Sequence, residues 1–491
     1  MNAQVIQIKG RDVLLAYHPQ GGEPRIGQAL LLQERSPHGA NKGLVAQVIG
    51  YDSAGYPGDR EVALGELLES AIAERHEVVQ GEPALGDLKE IKLARCKIRK
   101  MIRDAHWLEW DGTIPSRNVR VTPIDADDLL AHVVPGKPAH SLGFAAYEGQ
   151  PVSFEAALLD KVNALVGYKG SGKSHNAKLL LMGLAHLGAP CWAFDINREF
   201  VDLPGADTIR VGDNYRLSLA EVGFEFLAAV IDDIGPMPPV SQGALDHEGR
   251  RFMEEELRKR GFASIDYLLD RAEAGRFHHN EWVNLAIETR LRMVKRSAIF
   301  SDDPGAETLT ERFARATETG GFLVFDLAEM PVGRLKALTR GLNRRLDAIC
   351  VEERTSGSGR YPFVFFEEAH FYAAPGEILN LITRGRHLGL TTFFITNSPG
   401  ELPEVIFRQL DNLIVTGLSH SADLRTIAKS SVSDEDTLQS LAMSLGPQQA
   451  LVVGRLTGHY PLVVEISALP EDWPATGRTR SFWNRDLREA A

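Results

Sequence analysis

The feature that most constrains this chain is the stretch Gly167-Tyr168-Lys169-Gly170-Ser171-Gly172-Lys173-Ser174, which fits the spacing G-x-x-x-x-G-K-[ST]. An apolar strand, Asn163 to Val166, runs into it, and a helix from Ser174 to Leu187 runs out of it, stopped by Gly188. Glycines let the backbone curl until its N–H groups face phosphate oxygens, and the helix adds its positive N-terminus. In that arrangement Lys173 reaches the β- and γ-phosphates and the Ser174 hydroxyl holds Mg²⁺. Gly167, Gly170, Ser171, Gly172 and His175 complete the expected contacts with ATP. A strand, a phosphate loop and a helix in immediate succession commit this region to an α/β fold.

The remaining pattern extends that fold. Apolar runs at 190–194, 322–326, 363–366, 391–396 and 413–416 read as strands of a parallel sheet, with late strands at 450–453 and 461–466. Between about 221 and 320 the strand signal fades, and 247–260, 264–274, 281–297 and 307–319 read as helices of an insertion. The first 125 residues are different. Short apolar runs at 13–17, 30–32 and 44–49, parted by Gly, Pro, Asn and Asp, and a stretch over 91–103 that alternates for part of its length, predict a small β-barrel, with a helix near 61–75. The expected layout is a β-barrel over 1–125, a linker over 126–155, a P-loop, RecA-like motor core over 156–468 and a tail over 469–491. A chain of 491 residues exceeds one domain of roughly 100–200 residues. With 44% hydrophobic and 24% charged residues it can bury a sizeable core, which excludes a disordered or fibrous chain.

A phosphate loop needs carboxylates at the end of a second buried strand, one for the metal and one for the attacking water. Phe363-Val364-Phe365-Phe366-Glu367-Glu368-Ala369-His370 supplies both: Glu367 by the metal, Glu368 toward the γ-phosphate.

With these motifs in place, the sequence resembles the HerA family of hexameric DNA-translocating ATPases, within the HerA–FtsK group of P-loop motors. Glu367-Glu368-Ala369-His370 is similar to that family's D-E-A-H, with Glu in place of Asp. Asp195-Ile196-Asn197-Arg198-Glu199-Phe200 is similar to its D-x-H-G-E-Y, with Asn-Arg for His-Gly and Phe for Tyr. Arg384-Gly385-Arg386-His387-Leu388-Gly389 is similar to E-G-R-K-x-G, and Thr396-Asn397-Ser398-Pro399 parallels T/S-Q-R-P. The resemblance implies roles residue by residue. Lys173 is the phosphate-loop lysine, Glu368 the catalytic glutamate and Asp195 an acidic residue beside the nucleotide. Asn397 is a polar sensor, and Arg386 enters the neighbouring subunit's site, with Arg384 as the alternative. The function implied is an ATP-driven homohexameric translocase or helicase on double-stranded DNA. Its partner would be a NurA-like nuclease in DNA end processing, or a sirtuin-like NADase or nuclease in anti-phage defence, docked on the N-terminal barrel. The alternative is an ATP-binding ring scaffold that organises such an effector, with translocation secondary.

The formal charge of −12 argues by itself against a nucleic-acid coat, but a sum does not locate charges. Arg95, Lys97, Arg99 and Lys100 form a basic stripe on the barrel, and Arg290, Arg292, Lys295 and Arg296 crowd a helix end; each is either a DNA contact or a solvated face. Lys161 is either a basic residue near the nucleotide or a strand-edge lysine, and Asp326 either a ligand at the sheet edge or a helix cap. Three scattered cysteines, no apolar run of about 18–20 residues and no leader pattern at the N-terminus lead to the expectation of a cytoplasmic protein without membrane contact.

Overall fold

The computed structural model describes residues 3–17, 22–34, 42–52, 92–114, 119–134, 136, 138–373, 375–418, 420–430 and 432–473. The helix expected at 61–75 and most of the tail lie outside the described residues. The chain divides into two compact units, the first built from residues 1–155, 415–428 and 432–466, the second from 156–414, 429–431 and 467–491.

In the first unit, β1 (Ala3–Lys9), β2 (Asp12–Tyr17), β3 (Ala29–Glu34), β4 (Lys42–Asp52), β5 (Lys92–Arg103), β6 (His106–Glu109) and β7 (Val119–Pro123) form one antiparallel sheet. Its order is β1-β2-β5-β4-β3-β7, with β6 paired to β5. Alternate residues bury one face: Val13, Leu15 and Tyr17 of β2 meet Ala94, Cys96 and Ile98 of β5, Leu44, Ala46 and Val48 of β4, and Leu30 and Leu32 of β3. Register shifts in the β4–β5 pair at Val45/Ala46 and Val48/Gly50 add curvature, and the edge strands β1 and β7 come close. The result is a curled antiparallel half-barrel.

Residues 126–155, expected as a linker, hold the helix Ala126–Val133 and the strands β8 (Ser141–Tyr147) and β9 (Gln150–Glu155). Their Pro, Gly and His residues read as linker punctuation, yet Leu142, Phe144, Val152 and Phe154 are buried. With β17 (Gln449–Gly454) and β18 (Leu462–Ile466) they give the antiparallel order β17-β18-β8-β9.

The basic stripe of β5 is corrected here. Lys97 and Arg99 are buried, because the side of β5 away from the hydrophobic core is covered too. Lys97 donates to Asp434 at 2.6 Å, and Arg99 donates to Asp434 at 3.1 Å and to Thr437 at 2.7 Å. Asp434 caps the helix Glu435–Met443. Lys100 pairs with Glu109, so only Arg95 of the four is fully exposed.

The second unit is built on the order β12-β13-β11-β14-β15-β10-β16: β10 (Val162–Val166), β11 (Cys191–Asp195), β12 (Ala206–Ile209), β13 (Phe322–Asp326), β14 (Phe363–Glu367), β15 (Thr391–Thr396) and β16 (Asn412–Val415). The pairs from β12 through to β10 are parallel. Strands β10, β11, β13 and β15 are buried along their whole length, as near-continuous Val, Phe and Leu runs require in a sheet covered on both faces. Seven helical or π-helical segments from Leu219 to Arg296 and the helix Leu309–Glu318 lie between β12 and β13, so the insertion leaves and rejoins the sheet at its edge. Among the described residues no helix is long and apolar enough to cross a membrane.

The basic cluster near the end of the helix Glu281–Arg296 is also largely neutralised. Arg292 bonds Glu288 at 2.8 Å and Glu273 at 2.5 Å, Lys295 pairs with Asp266, and Arg290 donates to the carbonyls of Gly235 and Pro236. All three cysteines are free and buried, and burial pushes the Cys96 and Cys350 thiols up to about 12, which makes them unreactive.

Candidate nucleotide site at the carboxyl edge of the parallel sheet

The register sets the site. Val166 lies opposite Thr396, Glu367 opposite Ile395, and Asp195 opposite Asp326, so the ends of β10, β15, β14, β11 and β13 form one edge. Ligands bind at this edge in open α/β sheets. The strand with the acidic pair is not the neighbour of the loop strand. β15 stands between them and brings Thr396 and Asn397 to the middle.

The loop leaves β10 at Gly167 and enters the helix Lys173–His186. Gly170 (φ +86°) and Gly172 (φ +96°) are left-handed, which is where glycine is needed. Gly172 is the N-cap, and no side chain caps the helix, so its first N–H groups are left for an anion. Lys173 is buried, with Nζ donating to the Tyr168 carbonyl at 3.1 Å. Burial lowers its pKa, while the charges of Glu368, Glu367 and Glu199 push back; the lysine therefore sits among the acidic residues of the other strand ends. A Cβ on Gly172 meets no protein atom within 4 Å, so within the protein itself Gly172→Ala acts through backbone conformation. The left-handed penalty of about 1–2 kcal/mol predicts nucleotide binding weaker by about fivefold to thirtyfold. Titration with a fluorescent ATP analogue measures it, and unchanged affinity would show that the loop conformation is irrelevant to binding.

His175, expected at the nucleotide, has Nε2 2.7 Å from the carbonyl oxygen of Ser467. Lys161 is separated from the loop. It lies at the opposite end of β10, where its N–H donates to Thr391 Oγ1, and five residues of strand, about 16 Å, part it from Gly167.

Asp195 is fully buried and accepts from the backbone N–H of Glu199 at 2.9 Å and Phe200 at 2.7 Å. Glu367 accepts from the N–H of Ile196, the N–H of Asn197 and the Asn197 amide, each at 3.0 Å. Burial, then the charge of Asp195, raises the Glu367 pKa well above the usual carboxylate range, and burial raises that of Asp195. Arg198, in left-handed conformation at φ +59°, donates to both Asp326 oxygens at 3.1 and 3.0 Å and to Glu329 at 2.9 Å. Arg210 joins it on Asp326 at 3.0 Å, so that carboxylate is paired, and it also accepts from the Ala328 N–H.

Glu368 also has left-handed backbone, φ +49°, a strained conformation for a residue with a Cβ. Its N–H donates to the Ile395 carbonyl at 2.7 Å. Its carboxylate accepts from Thr396 Oγ1 at 2.9 Å and from the Asn397 N–H at 3.2 Å. The contribution of Asn397 to this grip is therefore its backbone; its side-chain Oδ1 accepts from Ser398 Oγ at 2.9 Å. The side chain of Arg386 lies outside what the structure describes; its backbone begins the short helix Arg386–Leu388, and Arg384 is exposed on the preceding π-helical turn. Sequence reasoning missed three partners: Thr396, His370, and Lys178, whose buried amine pairs with Glu199 at 3.1 Å. Thr396 and His370 lay within quoted motifs; nothing local marked Lys178.

A phosphate loop, an interposed strand and an acidic pair on one edge of a parallel sheet define a P-loop motor fold. The family described as "Helicase HerA, central domain" matches residues 140–346. The DNA double-strand break repair helicase HerA of Pyrococcus furiosus is 21% identical over 352 residues, 61% of this chain and 64% of that protein. The HerA of Saccharolobus solfataricus is 21% identical over 342 residues, 62% and 63% of the two chains. This chain thus spans under two thirds of the curated relatives it matches. Among solved structures, VirB4 of Thermoanaerobacter pseudethanolicus aligns with a TM-score of 0.49 at 14% identity, over 69% of this chain and 99% of that one. The similarity to HerA thus rests on residues 140–346 and on these two relatives at 21% identity.

Proposed function

We propose that this chain hydrolyses ATP with Mg²⁺ and, as a homohexameric ring, uses the turnover to move double-stranded DNA. The observation that carries this is Glu368, fixed by Thr396 and the Asn397 N–H at the sheet edge that bears Lys173 and an uncapped helix N-terminus. The donor set suits a divalent cation. Two buried carboxylates, Asp195 and Glu367, repel each other, and a cation near Glu367 and the Ser174 hydroxyl relieves that repulsion. Bound there, Mg²⁺ neutralises developing charge on the phosphates.

The residues divide the work. The backbone of Gly167, Gly170, Ser171 and Gly172 and the ammonium of Lys173 hold the phosphates. Glu368 orients the attacking water and accepts its proton. Arg386, a permanent cation with a forked donor set, enters the site of the next subunit, with Arg384 as the alternative. With a net charge of −12, moving DNA would call for basic residues concentrated around a pore, where phosphate contacts suffice without base readout. The partner proposed on the half-barrel is a nuclease of the NurA kind or a defence effector such as a sirtuin-like NADase.

The test is steady-state ATPase with and without duplex DNA. Stimulation by duplex in a salt-sensitive manner is expected; turnover indifferent to DNA would leave the ring-scaffold reading in its place. Arg386→Ala and Lys173→Ala subunits should each be inactive alone and recover partial activity when mixed, because some interfaces then join an intact loop to an intact arginine. No recovery would rule out an arginine acting between subunits.

A further inference from the structure

A cavity of about 330 Å³ lies in the second unit, and none of its lining residues belongs to the nucleotide site. Its volume falls at the lower end of what small-molecule sites have, about 300–1,000 Å³. Three arginines line it from three segments. Arg216 comes from the stretch between β12 and the helix Leu219–Val222, Arg260 from the last turn of the helix Arg250–Arg260, and Arg345 from the middle of the helix Val332–Ser356. The frame around them is fixed by hydrogen bonds. The Leu217 N–H donates to the Ile299 carbonyl at 2.9 Å, and the Ser301 N–H donates to the Leu217 carbonyl at 3.0 Å. Tyr215 and Leu217, on either side of exposed Arg216, are buried, and the Tyr215 hydroxyl donates to the Glu307 carbonyl at 3.0 Å. Gly261, left-handed at φ +69°, stops the helix directly after Arg260.

Three carboxylates line the cavity as well, and each is committed within the protein. Glu307 accepts from Arg315 Nε at 2.8 Å and Nη2 at 3.1 Å. Glu221 accepts from the N–H of Leu309 at 2.6 Å and of Ser218 at 3.3 Å, and Asp303 accepts from the Gly305 N–H at 2.8 Å. The arginines are the less satisfied side. Among the described residues Arg216 pairs with no carboxylate. Arg260 has Glu256 at 3.7 Å, beyond hydrogen-bond reach. Arg345 gives Nε and Nη2 to the Thr310 hydroxyl, with Glu352 at 3.4 Å from Nη2, and among the described residues its Nη1 has no partner. The hydroxyls of Ser218 and Ser301 accept from the N–H groups of Ala220 and Asp303, which leaves their own protons to donate. We propose that this cavity is a separate anion site that takes a phosphorylated small molecule, its phosphate among Arg216, Arg260 and Arg345 and its remainder against Phe262, which also lines the wall. A phosphate has enough oxygens to engage several guanidinium forks at once, which a single carboxylate does not. The inference does not rest on the reading of the ATP site.

The experiment is calorimetric titration of the full-length Lys173→Ala protein, in which the phosphate loop has lost its lysine, with ribose 5-phosphate and with AMP. Both should bind. A tighter Kd for AMP identifies a nucleotide with its base on Phe262, and equal affinities identify a sugar phosphate; either supports the site. Arg216→Ala and Arg260→Ala, added singly at exposed positions, should each weaken binding about tenfold, the loss of one charge-assisted hydrogen bond. Arg216→Lys should stay several-fold weaker than Arg216, because it keeps the charge and loses the fork. Arg258→Ala is the control: it removes the same charge from an exposed position of the same helix that does not line the cavity, and affinity should be unchanged. Absence of binding by both probes overturns the proposal, as does binding that Arg216→Ala and Arg260→Ala leave intact. An Arg258→Ala effect equal to that of Arg260→Ala overturns it too, by showing general attraction instead of a site. Hydrogen exchange decides without any arginine variant. AMP should slow exchange of the amides over 216–221 and 299–309, and unchanged exchange there in the presence of AMP would show that the cavity is not where it binds.

Discussion

Glu368→Gln should lower ATP turnover by about a thousandfold, within the range for loss of a general base, and leave nucleotide affinity within about threefold. The geometry explains both halves. The Gln carbonyl still accepts from Thr396 Oγ1, which lies 2.9 Å from the present carboxylate, so the side chain stays in place. The bond from the Glu368 N–H to the Ile395 carbonyl is a backbone bond and is untouched. Lys173 and the helix N-terminus, proposed to bind phosphate, are unaltered. What disappears is the capacity to take a proton. Glu368→Asp supplies the complementary test: it keeps that capacity but falls one methylene short of Thr396, and a fall of about a hundredfold is expected. Single-turnover hydrolysis and equilibrium binding measure the two quantities separately. Turnover of Glu368→Gln near the wild-type value would remove Glu368 from the chemistry.

The parts of this site that were legible in the sequence are those that spacing fixes locally. The phosphate loop needs a strand before it and a helix after it, and both are within twenty residues. The acidic pair follows four apolar residues, which places it at a strand end. Partners that come from elsewhere in the chain were not legible. Asn197 and Glu367 each depart from the family pattern, and the structure joins the two departures: the longer carboxylate takes the Asn197 amide and two N–H groups of the same turn. Arg198 occupies a position where the family has Gly. Its φ of +59° gives the reason for that glycine, and three bonds to Asp326 and Glu329 hold the arginine there despite the strain. The half-barrel shows the same limit. Its alternating apolar residues were readable, but which charges its outer face would meet was not.

That limit yields the second large effect. Asp434→Ala should lower the local unfolding free energy of β5 by about 2–4 kcal/mol, somewhat less than the usual 3–5 for a fully buried pair because the Asp434 side chain is 37% exposed. The alternation of β5 suggested a basic face open to solvent. Instead Lys97 (10% exposed) and Arg99 (7% exposed) both turn to Asp434, which also accepts from the N–H and hydroxyl of Thr437. Removing Asp434 takes from buried Arg99 the carboxylate it pairs with and leaves buried Lys97 to looser pairs with Asp436 at 3.5 Å and Asp12 at 3.6 Å, a larger penalty than the loss of any one bond. Burial of Asp434 would raise its pKa, but the bonds from Lys97 and Thr437 and the charge of Arg99 outweigh it and hold the carboxyl well below its ordinary range. A depressed folded-state pKa contributes stability that is fully present above the unfolded value of about 3.9 and is lost as pH falls through the folded value. Wild-type protection of β5 amides should therefore erode below about pH 4, and Asp434→Ala, already weakened, should lack that component of the pH dependence. Hydrogen exchange followed residue by residue tests this without assuming that a two-unit chain unfolds in one step. Wild-type protection of β5 in Asp434→Ala would mean that Lys97 and Arg99 find water or another carboxylate. In that case the basic stripe would again be a candidate surface for DNA.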